Sequence, residues 1–160
     1  MDRLPGIIEN MYVARTTVEF CRPRSQVYEV LTDLSRYPAW NQDMIEISHA
    51  GPMQVGLTYD TKSRVAGRIN AAHVEVMNLL PDEAIELRSK AGIIQFGAEF
   101  RLDDAAGGGT NVTCALSFKF RNFIMDLARP AIEGMARDRV RHDLETLAAL
   151  LCADVASPGH

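Results

Sequence analysis

Two side chains stand out as candidates for chemistry, an imidazole and a phenol in neighbouring strand-like segments. His73 stands beside Ala71, Ala72 and Val74, and a neutral imidazole in an apolar strand is able to act as a general base or to hydrogen-bond a ligand oxygen. Tyr59 would add a hydroxyl donor to an apolar pocket if its face of the strand points inward. A histidine on the wet side of a sheet produces the same pattern, so the sequence leaves the face of His73 open.

The motifs of nucleophilic, phosphate-binding and metal chemistry are missing from the sequence. No G-x-S-x-G elbow and no H-E-x-x-H pair occurs. Gly51 and Gly56 have the glycine spacing of a phosphate-binding loop, but Leu57 stands where that loop needs its lysine. No two histidines are close in the chain, so only the fold could bring a ligand pair together from His49, His73, His142 and His160. The sequence therefore predicts no metal site and no cofactor.

Composition and charge exclude several classes of protein. The chain has 160 residues, 47% of them hydrophobic, which suits one domain with a sizeable core. A net charge of −4 argues against nucleic-acid binding. No apolar run reaches the roughly 20 residues of a membrane span, and no secretion signal begins the chain. Cys21, Cys114 and Cys152 are irregularly spaced, which predicts reduced, structural cysteines and a cytoplasmic location without integral membrane association.

Hydrophobic periodicity predicts an α+β architecture. A β-branched segment at 11–20 precedes two short helices; Pro23 begins the first and Pro38 limits how far it runs, and Ser35 is the candidate cap of the second. A long amphipathic helix is expected over 122–152, with a break at 128–129 because Pro130 cannot lie inside a continuous helix. The remaining strands are predicted from alternation and turn residues at 44–49, 57–65, 69–80, 84–90, 93–103 and 110–120.

A curved sheet around one helix encloses a space, and aromatic and methionine side chains are candidates to line it. Core packing explains the same phenylalanines and methionines equally well, and Trp40 fits either place. Glu99, Arg101 and the charged run at 137–143 are expected to face water. The candidate cavity residues are Trp40, Tyr59, His73, Phe96, Phe100, Phe118, Met125 and Met135.

The segment VYEVLTDLSRYPAWNQDM at 27–44 resembles the helix-grip proteins, the SRPBCC superfamily with its START-like and birch-pollen-allergen-like domains. The resemblance lies in Asp33 followed by the aromatic-Pro-x-Trp residues Tyr37, Pro38 and Trp40, and it extends over about residues 11–152. The most similar group is the polyketide cyclase/dehydrase and lipid-transport proteins. This resemblance implies a seven-stranded curved antiparallel sheet around a long C-terminal helix. No position matches a family catalytic motif.

The resulting prediction is a single helix-grip ligand-binding domain over 11–152, with tails at 1–10 and 153–160. Its expected function is to bind a small hydrophobic ligand, lipid, sterol-like or polyketide-like, in an internal hydrophobic cavity. The alternative is a polyketide cyclase or dehydratase, in which positioning would supply most of the acceleration, with His73 as base and Tyr59 as donor. A protein-interaction module is a third reading. The oligomeric state is left open, with a homodimer among the options.

Overall fold

The strands and helices follow the predicted order along the chain. The computed structural model describes residues 12–65, 67–91, 94–120 and 129–156. The helices are α1 (Arg24–Leu31), α2 (Tyr37–Trp40) and α3 (Arg129–Ala156), with short 3-10 turns at Leu34–Arg36 and Ala106–Gly108. The strands are β1 (Tyr12–Phe20), β2 (Met44–Ile47), β3 (Thr58–Val65), β4 (Arg68–Leu80), β5 (Ala84–Ala91), β6 (Ile94–Asp104) and β7 (Thr110–Phe120).

All seven strands form one antiparallel sheet in the order β1-β7-β6-β5-β4-β3-β2. Its pleat separates two faces, because successive side chains of a strand point to opposite sides. In β1, Ala14, Thr16 and Val18 are buried, whereas Arg15 and Thr17 are exposed. The buried side, on which α3 packs, is called the inner face here, and the opposite side the outer face. The α+β helix-grip architecture predicted from the sequence is confirmed.

The segment after β1 closes one end of the inner face. Val27, Val30 and Leu31 of α1 are buried in the core. Asp33 then caps the 3-10 turn, because its carboxylate accepts hydrogen bonds from Ser35 N at 3.1 Å and from Ser35 Oγ at 2.6 Å. These contacts turn the chain into α2, whose two aromatic residues are buried.

Helix α3 runs along β1 and touches α2. Its buried residues recur at helical spacing: Leu144, Leu147, Ala148 and Leu151. The structure describes this helix from Arg129, and Pro130 is its second described residue. The predicted helical segment at 122–128 lies outside the described residues. The helix continues to Ala156, beyond the predicted end at 152.

A disulfide joins Cys21, directly after β1, to Cys152 in the last turns of α3, with 5.9 Å between the Cα atoms. Beside it, Arg22 Nε donates a hydrogen bond to the Leu151 carbonyl at 3.2 Å. The expectation that all three cysteines are reduced is therefore wrong for this pair, although Cys114 is free and buried as predicted. Irregular sequence spacing gave no sign of the pair, because only the packing of α3 on β1 brings the two residues together. The pairing removes the support that reduced cysteines gave to a cytoplasmic location, which stays a prediction.

Candidate ligand-binding site

A row of side chains crosses the inner face of the sheet from β3 to β7. Tyr59 pairs with Val74, Val74 with Ser89, and Phe96 with Phe118. The Ser89 hydroxyl accepts a hydrogen bond from Phe96 N at 2.8 Å, which joins the two halves of the row. Tyr59, Phe96 and Phe118, three of the predicted cavity residues, therefore share one line across one face.

The two ends of the inner face differ in how tightly they are packed. Under α1 and the C-terminal half of α3, side chains such as Phe20, Leu31 and Leu144 are fully buried. Toward the start of β1, Phe96 and Leu116 are only half-buried. The disulfide joins the C-terminal part of α3 to the C-terminal end of β1. The first half of α3 therefore extends toward the start of β1, which is the loosely packed end. Its residues Ile132, Ala136 and Val140 are half-buried. That end offers apolar surface within reach of a ligand.

Tyr37, Trp40 and Tyr59 form an aromatic cluster inside the protein. All three are buried, and the rings of Tyr37 and Trp40 tilt against each other at a centroid distance of 4.8 Å. Burial raises the pKa of Tyr59 and, with the nearby Tyr59 and Cys114 groups, the pKa of Tyr37. Burial likewise raises the pKa of the Cys114 thiol. These groups therefore stay neutral, and Cys114 is no nucleophile.

Trp40 contributes a polar atom without a partner. Its side chain is 4% exposed, and its indole Nε1 has no hydrogen-bond partner in the described part of the chain. Thr16 Oγ1, on the inner face of β1 opposite Cys114, is in the same situation. Buried donors are nearly always paired in folded proteins, so these two groups have hydrogen-bonding capacity that the described residues do not use.

His73 lies on the outer face. It pairs across the strands with Asp60, whereas Tyr59 pairs with Val74, so the histidine and the tyrosine point to opposite sides of the sheet. His73 Nδ1 is 2.7 Å from Asp60 Oδ1, and the histidine side chain is 41% exposed. His73 therefore does not line the interior, contrary to its prediction as a cavity residue. The open groove around it, of about 590 Å³, is lined by Glu46, Ile47, Ser48, Asp60, Thr61, Lys62, Ala71, Ala72 and His73.

The remaining predicted cavity residues fall into three different places. Phe100 is buried in the core, opposite Ile85 and Cys114. Met135 is 57% exposed, on the side of α3 turned away from its buried stripe, so it faces water rather than the interior. Met125 lies outside the described residues.

The sequence missed a charged cluster where α3 meets the segment after α2. Asp143 is 5% exposed, although the run 137–143 was expected to face water. Its position three residues after Val140 and four before Leu147 places it on the buried stripe, and that spacing was readable from the sequence. Burial raises the pKa of Asp143 to about 6, while Arg139 and a hydrogen bond from Gln42 N oppose the rise. Arg139 Nε also holds Asp43 Oδ2 at 2.8 Å.

A second buried carboxylate lies on the outer face. Glu99 is 4% exposed, so the expectation that it faces water is wrong. It lies between Glu86 on β5 and Ala115 on β7. Arg101 Nε is 2.6 Å from Glu99 Oε1 and forms an ion pair with this carboxylate. Burial raises the pKa of Glu99, although Arg101 acts in the opposite direction.

Within the described ranges, no group of three or more His, Cys, Asp or Glu side chains is arranged to hold a metal ion. In the same part of the chain, no helix has both the length and the apolar character needed to cross a membrane.

Comparison with known proteins gives a family and a set of similar folds. Residues 11–151 match the model of the polyketide cyclase/dehydrase and lipid-transport family. No curated protein matches the sequence. The Zhui aromatase/cyclase from Streptomyces sp. R1128 is 21% identical with a TM-score of 0.79, over 94% of this chain and 99% of its own. TTHA0849 from Thermus thermophilus is 15% identical with a TM-score of 0.77, over 89% and 99%. A START superfamily protein from Mycobacterium smegmatis is 14% identical with a TM-score of 0.72, over 87% and 96%.

Proposed function

Because the chain belongs to the polyketide cyclase/dehydrase and lipid-transport family, we propose that it binds a small hydrophobic molecule between the inner face of the sheet and α3. The ligand is lipid, sterol-like or polyketide-like. The observation that carries this proposal is the loosely packed end of the inner face, where Phe96 and Leu116 remain half-buried beneath the first half of α3. Apolar side chains that the protein itself does not cover are the usual lining of a ligand site.

The binding energy would come mainly from apolar contact. Burial of apolar surface contributes about 25 cal/mol per Å². A ligand that buries on the order of 300 Å² of apolar surface would thus gain roughly 7 kcal/mol before the cost of association. Trp40 and Tyr59 add polar groups that orient the ligand rather than provide most of the affinity.

Native mass spectrometry of freshly purified protein tests the proposal, followed by organic extraction and identification of what is released. A stoichiometric lipophilic adduct is expected. Two variants test where on the protein the adduct binds. Leu116→Arg puts a charge on the inner face and should abolish the adduct, whereas Ile69→Arg puts the same charge on an exposed outer position and should retain it. Circular dichroism verifies that both variants fold. No adduct, together with no thermal stabilisation by lipids, quinones and aromatic polyketides, would overturn the proposal.

A cyclase or dehydratase using the same space is the second candidate, favoured by the similarity of the fold to an aromatase/cyclase. In this version Tyr59 assists from the inner face and His73 takes no part, because the two side chains lie on opposite faces. Turnover of a poly-ketone substrate is the assay. Tyr59→Phe should lower turnover while sparing binding, and His73→Ala should leave both unchanged. A carrier without catalysis shows no turnover in any of the three proteins.

A further inference from the structure

The charges of the buried residues limit what kind of ligand the interior accepts. In the described part of the chain, no lysine, arginine or histidine side chain is buried. The buried polar residues on the inner face of the sheet are neutral, among them Thr16, Tyr59, Thr61 and Ser89. The buried charge that α3 contributes is the carboxylate of Asp143. An anionic headgroup inside the protein would therefore lose its hydration without gaining a counter-ion, which weakens binding.

The indole N–H of Trp40 lacks an acceptor among the residues that the structure describes. A buried donor that has lost its water and gained no partner destabilises a protein, and a ligand oxygen placed against it removes that penalty. The donor stands on a rigid aromatic ring that Tyr37 holds from one side. Its direction is therefore fixed before a ligand arrives, which favours affinity for an acceptor at one position.

We propose that the ligand is a neutral hydrophobic molecule with a carbonyl oxygen, and that Trp40 Nε1 donates a hydrogen bond to this oxygen. The inference rests on the proposed function and narrows it. Ketones, quinones and esters have the required chemistry. Free fatty acids do not, because their carboxylate would have to lie among neutral groups without a counter-ion. Pure hydrocarbons fill the apolar space but leave the Trp40 donor unpaired.

Three naphthalenes of nearly equal size separate these classes: 2-acetylnaphthalene, 2-ethylnaphthalene and 2-naphthoate. Their affinities are measured by displacement of N-phenyl-1-naphthylamine, a neutral fluorescent probe. The acetyl compound should bind about tenfold more tightly than the ethyl compound, the difference of one hydrogen bond to a buried donor, and the naphthoate should bind most weakly.

The variant Trp40→Phe keeps an aromatic ring and removes the N–H. It should abolish the tenfold preference for the ketone while changing the affinity for 2-ethylnaphthalene far less. Tyr37→Phe is the matched control: it removes a buried hydroxyl from the same cluster, keeps the ring that packs against Trp40, and should retain the ketone preference.

A spectroscopic measurement on the unaltered protein covers the case in which Trp40→Phe fails to fold. Trp40 is the only tryptophan of the sequence, so ¹⁵N-labelled protein gives one indole N–H resonance. The ketone should move this resonance downfield and the hydrocarbon should not. Three results would overturn the inference. They are equal affinities for the ketone and the hydrocarbon, tight binding of the naphthoate, and an indole resonance whose position does not change when the ketone binds. If the probe and all three compounds fail to bind, the proposed function fails instead.

Discussion

Breaking the bond between Cys21 and Cys152 should cost a large share of the stability of the fold. The two residues are 131 positions apart in the sequence, so the bond closes a loop that contains most of the chain. In the chain-entropy treatment, a loop of that length restricts the unfolded state by about 5 kcal/mol at 25 °C. Domains of this size are typically stable by about 5 to 15 kcal/mol. Reduction should therefore remove a third of the stability or more.

Urea denaturation followed by circular dichroism measures the loss. The wild-type protein should unfold at a markedly lower urea concentration in the presence of a thiol reductant, and Cys152→Ser should reproduce that midpoint without reductant. The double variant Cys21→Ser/Cys152→Ser is the control, since its midpoint should not respond to the reductant. Hydrogen exchange should accelerate first in the last two turns of α3, where Arg22 Nε donates a hydrogen bond to the Leu151 carbonyl.

Counting thiols gives the result that would refute this reasoning. Denatured, unreduced wild-type protein should show one reactive thiol, that of Cys114. Three reactive thiols would mean that the bond does not form. One reactive thiol with an unchanged urea midpoint on reduction would mean that the packing of α3, rather than the covalent link, sets the stability.

The remaining predictions concern single buried groups. Because the pKa of Asp143 is raised from 3.8 to about 6, its contribution to stability is fully present below about pH 4 and is lost as the pH rises through 6. Asp143→Asn should remove this decline, so that the variant gains on the order of 3 kcal/mol relative to wild type between pH 4 and pH 7 in urea titrations. A methyl group at Gly109 would overlap the backbone carbonyl of the last residue of β1. Gly109→Ala should therefore lower the melting temperature more than Gly107→Ala, where only a φ of +77° is strained and the space is open. Arg101→Leu should cost on the order of 1 to 3 kcal/mol because it removes the nearest cation from the buried Glu99 carboxylate, and the double variant with Glu99→Leu should recover most of the loss.

Alternation and turn residues were sufficient to predict the sheet. In β6 and β7, apolar residues recur at every second position and a glycine-rich loop separates the two runs, so the pleat and the hairpin followed directly from the sequence. Pro130 gave a similar local signal: because proline cannot lie inside a continuous helix, it predicted a break at 128–129 in the helical segment over 122–152, and residues 122–128 of that segment lie outside the described residues. These features depend on neighbouring residues, and sequence patterns describe such neighbours well.

What the sequence left open depends on register and on long-range packing. Alternation shows that Tyr59 and Thr61 share a face, but it does not show which residue of β4 lies opposite them. Only the pairing of Asp60 with His73 places the histidine on the outer face. The disulfide and the burial of Asp143 were not predicted for the same reason, because both depend on how α3 packs against the rest of the fold.

The separation of the two faces also bears on what the interior is able to do. Burial raises the pKa values of Tyr37, Tyr59 and Cys114, so their side chains keep their protons at neutral pH. The histidine that was to serve as base lies on the other side of the sheet. The inner face thus presents fixed hydrogen-bond donors rather than proton acceptors. Such a surface discriminates ligands by their acceptor atoms, which is why an affinity difference between a ketone and its hydrocarbon is a sharper test of this protein than a search for turnover.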